Sequence, residues 1–234
     1  MLLCAKRCPD NSVPVVVDAA QAHGVRRGSN SNGGDAFAGA LAACFSFYPA
    51  KNLGAAGEAG ACVTNDGELA HTLRSVRDHG RVDKHTHRYR GSNMRMDEIQ
   101  AAVLGAKLPL LDAWNRNRQR AANRYLEGIQ SYDDLRLPTP APEGHHVWHL
   151  FTVETPHRDG LRAHLDKRGI KTGLHYPTPL HLHPALESLG HGRGDFPCAE
   201  RIADQTVSLP MFAGITDAQV DAVIAAVNNW SAAQ

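Results

Sequence analysis

The chain has almost no net charge. Its 25 basic and 24 acidic side chains leave a formal +1 at neutral pH over 234 residues. Nucleic-acid and membrane-surface binders usually carry a strong basic excess, so neither partner is indicated. There is no apolar run long enough to span a bilayer. Met1-Leu2-Leu3-Cys4-Ala5-Lys6-Arg7 is too short and too soon charged to read as a signal peptide. No segment repeats. Cysteine is scarce, scattered and odd in number: Cys4, Cys8, Cys44, Cys62 and Cys198. That argues against a disulfide framework and for reduced thiols in a cytoplasmic protein. Cys4 and Cys8 lack a second Cys/His pair at metal spacing, so no metal site is expected.

What is present is an α/β pattern. Val13 to Val17 is a short β-branched run and reads as a buried strand ending at Asp18. Arg26 to Asp35, with Gly28, Ser29, Asn30, Asn32, Gly33 and Gly34, has loop composition. Leu41 to Phe47 and Ala59 to Thr64 read as two further strands. Asn65-Asp66 caps a helix reaching about His79, which Gly80 stops. Arg81 to Gly91 is basic and aperiodic, an exposed loop. Met96 to Gly128 is helical, with a break or kink at Pro109. Tyr132 to Gly144, with Pro138, Pro140 and Pro142, has linker composition. Beyond it, Val147 to Val153 reads as a strand. Thr155-Pro156 opens a helix that Gly169 ends, and Ile170 to His175 reads as another strand. Thr216-Asp217-Ala218-Gln219 is a capping box for a last helix ending near Trp230. Strands alternating with helices mean α/β. These readings divide the chain into 1–109 and 110–234, the latter a connecting helix with a small α+β domain.

Two stretches carry chemistry. Val15-Val16-Val17-Asp18 is an apolar run ending in an acid. A second run ends in Ser46-Phe47-Tyr48-Pro49-Ala50-Lys51-Asn52-Leu53-Gly54, a hydroxyl and then a lysine among small residues. In open α/β sheets, ligands gather at the carboxyl ends of strands. A carboxylate there can keep a ring nitrogen protonated, a hydroxyl can donate to a phosphate, and an amine can condense with an aldehyde. That set suits pyridoxal phosphate. Each residue also has a plain use. Asp18 can cap a turn, Ser46 can hydrogen-bond its own backbone, and Lys51 can be an ordinary solvated lysine. Gly54, Gly57 and Gly60 permit tight turns and close backbone approach.

Asp18-Ala19-Ala20-Gln21-Ala22-His23-Gly24, the Ser46 to Gly54 run and Gly57-Glu58-Ala59-Gly60 together resemble the DegT/DnrJ/EryC1/StrS family of sugar-nucleotide aminotransferases. Gly91-Ser92-Asn93-Met94-Arg95-Met96-Asp97-Glu98-Ile99-Gln100-Ala101-Ala102 is similar to that family's next block. Leu108 to Tyr125 and His175-Tyr176-Pro177 continue it, so the resemblance covers nearly the whole chain. It implies an aspartate-aminotransferase-like fold. The chain would hold the C-terminal part of the large cofactor domain, a mostly parallel sheet with helices, plus a small α+β C-terminal domain. It implies that Lys51 forms the Schiff base and that Asp18 pairs with the pyridine nitrogen. Gln21 would lie against the cofactor ring or its 3-hydroxyl side, and Ser46 would bind the phosphate. Asn93 would reach the phosphate of a neighbouring subunit's cofactor, making a homodimer; alternatively it orders the turn before a helix. His175 and Tyr176 fall where relatives line the sugar-nucleotide cleft.

The implied reaction moves an amino group from an amino acid, expected to be glutamate, to a keto-sugar nucleotide in amino-sugar biosynthesis for polysaccharide or antibiotic. Relatives with histidine at the lysine position dehydrate sugars instead, and Lys51 argues against that branch. Tyr48-Pro49 and His175-Tyr176-Pro177 resemble members acting on a deoxy keto-sugar of thymidine diphosphate, at C3 or C4. Family members also carry a longer segment before the Asp18 strand. It includes a Gly/Ser/Thr turn that binds the phosphate at a helix N-terminus, and a side chain that stacks on the cofactor's other face. Here residues 1–17 precede Asp18. The expectation is a C-terminal portion with open apolar edges, weak cofactor retention, and poor solubility or reliance on a partner chain. The alternative to an enzyme is a non-catalytic remnant that keeps the dimer surface or docks on a full-length homologue.

Overall fold

The computed structural model describes residues 13–27, 37, 39–130, 134–140 and 144–230. Met1 to Asp10 with Cys4 and Cys8, the run Gly28 to Asp35, Tyr132 and Pro142 lie outside them. The chain divides into two compact units, residues 1–115 with 141–147, and residues 116–140 with 148–234.

The first unit holds β1 (Val16–Asp18), β2 (Arg26–Arg27), β3 (Ala42–Ser46) and β4 (Gly60–Val63). β3 is central. It pairs in parallel with β1, Asp18 opposite Cys44, and antiparallel with β4, Cys44 opposite Cys62 and Ser46 opposite Gly60. Its Ala42 and Ala43 are buried. The run Val13 to Val17 is not a buried strand. Only 16–18 find ladder partners on β3, and Val16 is 60% exposed at the sheet's flank. Val63 on β4 is 48% exposed, so apolar side chains do stand open on both flanking strands. β2 pairs with β5 (Gly144–His145).

α1 (Gly67–Val76) starts where the cap signal lies: Asp66 Oδ1 accepts from the N–H groups of Glu68 and Leu69 at 2.9 and 3.0 Å. It ends earlier than His79, which with Gly80 takes positive φ and reverses the chain. Gly80 is obligatory, because an added Cβ would lie 1.7 Å from the Tyr89 carbonyl oxygen. The basic loop after it is exposed yet ordered. Arg81 bridges His87, and Asp83 accepts from the His85 and Thr86 N–H groups. α2 (Glu98–Lys107) and α3 (Leu111–Gly128) are separated by a 3-10 turn at Leu108–Leu110. The break falls at Pro109, which cannot donate to the preceding turn. Leu53, Ala55, Leu104 and Leu111 form this unit's buried cluster.

In the second unit, β6 (Phe151–Glu154) pairs antiparallel with β7 (Thr206–Leu209). α4 (Arg158–Asp166), α5 (Pro197–Gln205) and α6 (Asp217–Asn228) complete it. Leu161 and Leu165 on α4, and Val220, Val223 and Val227 on α6, fall at helical spacing. They bury one face of each helix around Tyr125, Phe151 and Val207. Each such side chain contributes about 1.5–3 kcal/mol by leaving water. The capping box at Thr216 and Gln219 is formed.

Three expected elements differ here. The strand expected over Val147 to Val153 begins only at Phe151. Trp148 sits at φ 44, and its carbonyl turns to Arg118. The helix expected at Thr155-Pro156 begins at Arg158. Thr155 is still tied to the end of the sheet, its N–H donating to the Gln205 carbonyl at 3.0 Å. Ile170 to His175 is not a strand; only Gly173 bridges, to Ser208. α5 and β7 were not read from the sequence. The available signal for α5 was Pro197 at its first position.

Arg118 ties this unit's irregular segments together. It is 5% exposed and donates to the carbonyls of Trp148, His149 and Met211, each at 3.2 Å. Burial pulls its pKa down to about 10, still leaving it charged at neutral pH. Arg118→Met keeps the aliphatic bulk and removes the donors. It should lower unfolding stability by about 2–4 kcal/mol in urea titration, with Arg118→Lys intermediate. A loss under about 0.5 kcal/mol would show that the carbonyls do not depend on it.

Candidate active site

Asp18 closes β1 and Ser46 closes β3, on neighbouring parallel strands. Ladder partners share a face, and alternate residues along a strand return to it. Asp18, Cys44 and Ser46 therefore lie on one face, with Cys62 and Gly60 continuing it across β4. Gly60 leaves that surface open beside Ser46. Ser46 is about 6.6 Å along β3 from the level of Asp18, and the strands are about 4.8 Å apart. An acid and a hydroxyl so spaced suit the nitrogen end and the phosphate end of one pyridine ring.

Both groups also serve their own turns. Asp18 Oδ1 accepts from the Ala20 N–H at 2.9 Å, and Ser46 Oγ accepts from the Tyr48 N–H at 3.2 Å. These bonds aim the side chains without exhausting them. A carboxylate keeps further acceptor sites, and a hydroxyl that accepts still has its proton to donate.

Lys51 stands half-buried on a loop pinned along its length. The turn closes by the Lys51 N–H donating to the Tyr48 carbonyl at 2.9 Å. Gly54 packs on Pro49 so closely that an added Cβ would fall 2.3 Å from the Pro49 oxygen. Asn52 is buried and donates to Asn115 Oδ1 at 2.9 Å and to the Val147 carbonyl at 2.8 Å. Lys107 Nζ donates to the Gly54 carbonyl at 2.7 Å, and Gln100 Oε1 accepts from the Ala56 N–H at 2.8 Å. Asn52, Asn115 and Lys107 were not singled out from the sequence. Asn52, two residues before Gly54, reads as an ordinary turn residue.

His23 was also missed. It is 3% exposed, its ring 5.5 Å from that of Phe45 and 5.6 Å from that of Phe47. Those two phenylalanines alternate with Ser46, so His23 backs the face opposite Asp18. Neither ring nitrogen makes a hydrogen bond of normal geometry to a described residue. Burial lowers its pKa; the Ser46 backbone opposes this and the Lys51 ammonium adds to it. The ring is therefore neutral at pH 7.

The remaining expected residues are placed as follows. Gln21 is exposed in the turn after β1. Asn93 is exposed, bridges Asp78 after α1, and accepts from Arg95 Nε at 3.0 Å, ordering the segment before α2. His175 and Tyr176 belong to the second unit. His175 Nδ1 lies 2.8 Å from Ser208 Oγ, and Tyr176 is 66% exposed. Asp18, Gln21, Ser46 and Lys51 thus sit on segments leaving the carboxyl ends of β1 and β3. Among the described residues, no group of three His, Cys, Asp or Glu could hold a metal. No described helix is long and apolar enough to cross a membrane.

A sequence model of the DegT/DnrJ/EryC1/StrS aminotransferase family matches residues 3–228. The chain belongs to this family. This DegT-family chain is 48% identical over 217 residues to a dTDP-3-amino-3,4,6-trideoxy-alpha-D-glucose transaminase of Streptomyces venezuelae, covering 93% of this chain and 56% of the relative. It is 40% identical over 221 residues to a dTDP-3-amino-3,6-dideoxy-alpha-D-galactopyranose transaminase of Aneurinibacillus thermoaerophilus, covering 94% and 58%. Its fold superposes on the crystal structure of S. venezuelae DesV in complex with a ketimine intermediate. The TM-score is 0.89 at 46% identity, covering 97% of this chain and 59% of that one. The chain thus spans somewhat over half the length of the curated relatives it matches.

The buried neutral His23 makes the DegT-family chain acid-sensitive. Its folded pKa lies below the ordinary 6.5, so between those values the unfolded chain binds a proton that the folded chain does not. Its contribution is constant above about pH 6.5, falls as pH drops through that window, and levels off below the folded value. His146, held low mainly by burial and then by His145, acts with the same sign. His23→Phe should reduce the stability lost between about pH 7.5 and about pH 5.5 in urea titrations, leaving the His146 share. An unchanged loss would remove His23 from the account.

Proposed function

We propose that this chain carries the lysine-bearing part of a pyridoxal-phosphate-dependent sugar-nucleotide aminotransferase. The carrying observation is that Asp18 and Ser46 lie on one face at the ends of adjacent parallel strands, in a unit whose lysine loop is locked by buried hydrogen bonds. Membership in an aminotransferase family, and two relatives named as transaminases of dTDP-linked sugars, support the reading. On this reading 1–109 belong to the large domain, and 110–234 form the connecting helix and small domain.

When bound, pyridoxal phosphate supplies an electron sink for charge developing at a substrate carbon. The Asp18 carboxylate would hold the proton on the ring nitrogen, because a nearby negative charge favours the pyridinium. Ser46 Oγ would donate to the phosphate, and Gln21 would lie against the ring side. Lys51 Nζ would hold the cofactor through its aldehyde. With glutamate taken as the amino donor, the Lys51 amine would serve as the general base for the donor's α-carbon proton and as the acid that returns one. A fixed loop suits this task, since a base must keep hydrogen-bond reach of the carbon it serves. The acceptor is a keto-sugar nucleotide. A dTDP-linked 3-keto deoxy sugar is the form the relatives' names support. Asn93 would reach across a homodimer in the cytoplasm, and His175 and Tyr176 would face the nucleotide sugar.

Lys51 is the decisive position. Titrating the purified protein with pyridoxal phosphate should raise a visible absorbance band that borohydride fixes onto Lys51 and that Lys51→Ala abolishes. Asp18→Ala should weaken retention by about tenfold or more, roughly one charge-assisted contact. A band of equal strength in Lys51→Ala would refute the assignment. Amino transfer from glutamate to dTDP-linked keto sugars then separates an enzyme from a binding remnant.

A further inference from the structure

We propose that Cys44 and Cys62 form a thiol pair that a small-molecule disulfide converts to an intramolecular protein disulfide. The two residues are direct partners across the antiparallel β3–β4 ladder. The Phe47 N–H donates to the Ala59 carbonyl at 2.8 Å. Hydrogen-bonded levels therefore fall at Phe47 with Ala59, Phe45 with Ala61, and Ala43 with Val63. Cys44 and Cys62 occupy a non-hydrogen-bonded level, where Cα atoms approach to about 4.5 Å. That lies inside the window of about 4.4–6.8 Å that a disulfide tolerates. The sulfurs are already 3.6 Å apart. Cys62 is exposed and Cys44 half-buried, so a dissolved reagent meets Cys62 first.

The chemistry balances without any other redox partner. The Cys62 thiolate attacks one sulfur of the reagent, forming a mixed disulfide and releasing one reagent thiol. Cys44 loses its proton and attacks the Cys62 sulfur, breaking the mixed disulfide and releasing the second reagent thiol. Two protein thiols are oxidised, and one reagent disulfide is reduced to two thiols. Burial pushes the Cys44 thiol up, with the hydrogen bond and charge of Cys62 and then Asp18 adding to the shift. That disfavours Cys44 as the first attacker; as the resolving thiol its attack is intramolecular on a sulfur 3.6 Å away, which offsets its smaller thiolate fraction. The link would lie on the sheet face that carries Asp18 and Ser46.

The test is incubation of the native full chain with oxidised glutathione, alkylation of residual thiols, and non-reducing tryptic mapping. Cleavage after Arg27, Lys51 and Arg74 puts Cys44 in 28–51 and Cys62 in 52–74. The expected product is those two peptides joined, separating on reduction, while Cys198 is not among the joined products. In Cys44→Ser, Cys62 should stop at the glutathione adduct. In Cys62→Ser, modification of Cys44 should slow by about tenfold or more. The parent chain alone decides the matter, so a misfolded variant cannot obscure it. A lasting glutathione adduct on Cys62 of the parent, or pairing of either residue with Cys4, Cys8 or Cys198, would overturn the proposal.

Discussion

The parallel register between Val16–Asp18 and Ala42–Ser46 governs where chemistry can occur in this chain. Pairing Asp18 with Cys44 puts the carboxylate on the same face as Ser46 and two residues behind it. A slip of one residue would send the acid to the opposite face, where Phe45, Phe47 and His23 pack. The register is held by the sheet's own hydrogen bonds, extended at each end. The Leu41 N–H reaches the Val15 carbonyl, and the Ala19 N–H reaches the Cys44 carbonyl, each at 2.8 Å. The apolar back and the polar front of the sheet thus follow from one alignment.

The lysine loop solves a different problem. The first unit's buried cluster is small, built on Leu53, Ala55, Leu104 and Leu111. Apolar packing alone would hold a glycine-rich loop poorly, because glycine loses the most conformational freedom on folding. Directional bonds compensate. Asn52 reaches two acceptors from a buried position, and Lys107 and Gln100 fasten Gly54 and Ala56 from α2. A buried amide left unpaired would cost about 1–3 kcal/mol, so the bonds both position the loop and resist its release.

The second unit relies mainly on volume. Its helices α4 and α6 bury aliphatic faces against β6 and β7, and Arg118 gathers the irregular segments at Trp148, His149 and Met211. Arg118 and His23 are opposite answers to burial. The guanidinium stays charged because burial pulls its pKa down only to about 10, and three carbonyls accept its hydrogen bonds. The imidazole lies among aromatic rings beside a lysine and stays neutral.

Local signals were read where local physics decides the outcome. The caps at Asp66 and Thr216, the break at Pro109, the central strand and the Ser46 to Gly54 block all depend on residues within a few positions of one another. The family resemblance also rested on such blocks, and the sequence match over residues 3–228 agrees with it. Elements set by distant partners were misread. Val13 to Val17 has strand composition but finds little ladder to join. Trp148 bends because Arg118 takes its carbonyl, and Ile170 to His175 has a partner only at Gly173. In the site, the sequence named Asp18, Ser46 and Lys51 by chemical type. Only the tertiary structure showed that Asp18 and Ser46 share a face, that Asn52 and Asn115 lock the loop, and that His23 backs it. Side-chain chemistry is written residue by residue. Which side chains meet depends on strand register and long-range hydrogen bonds, which no local window contains.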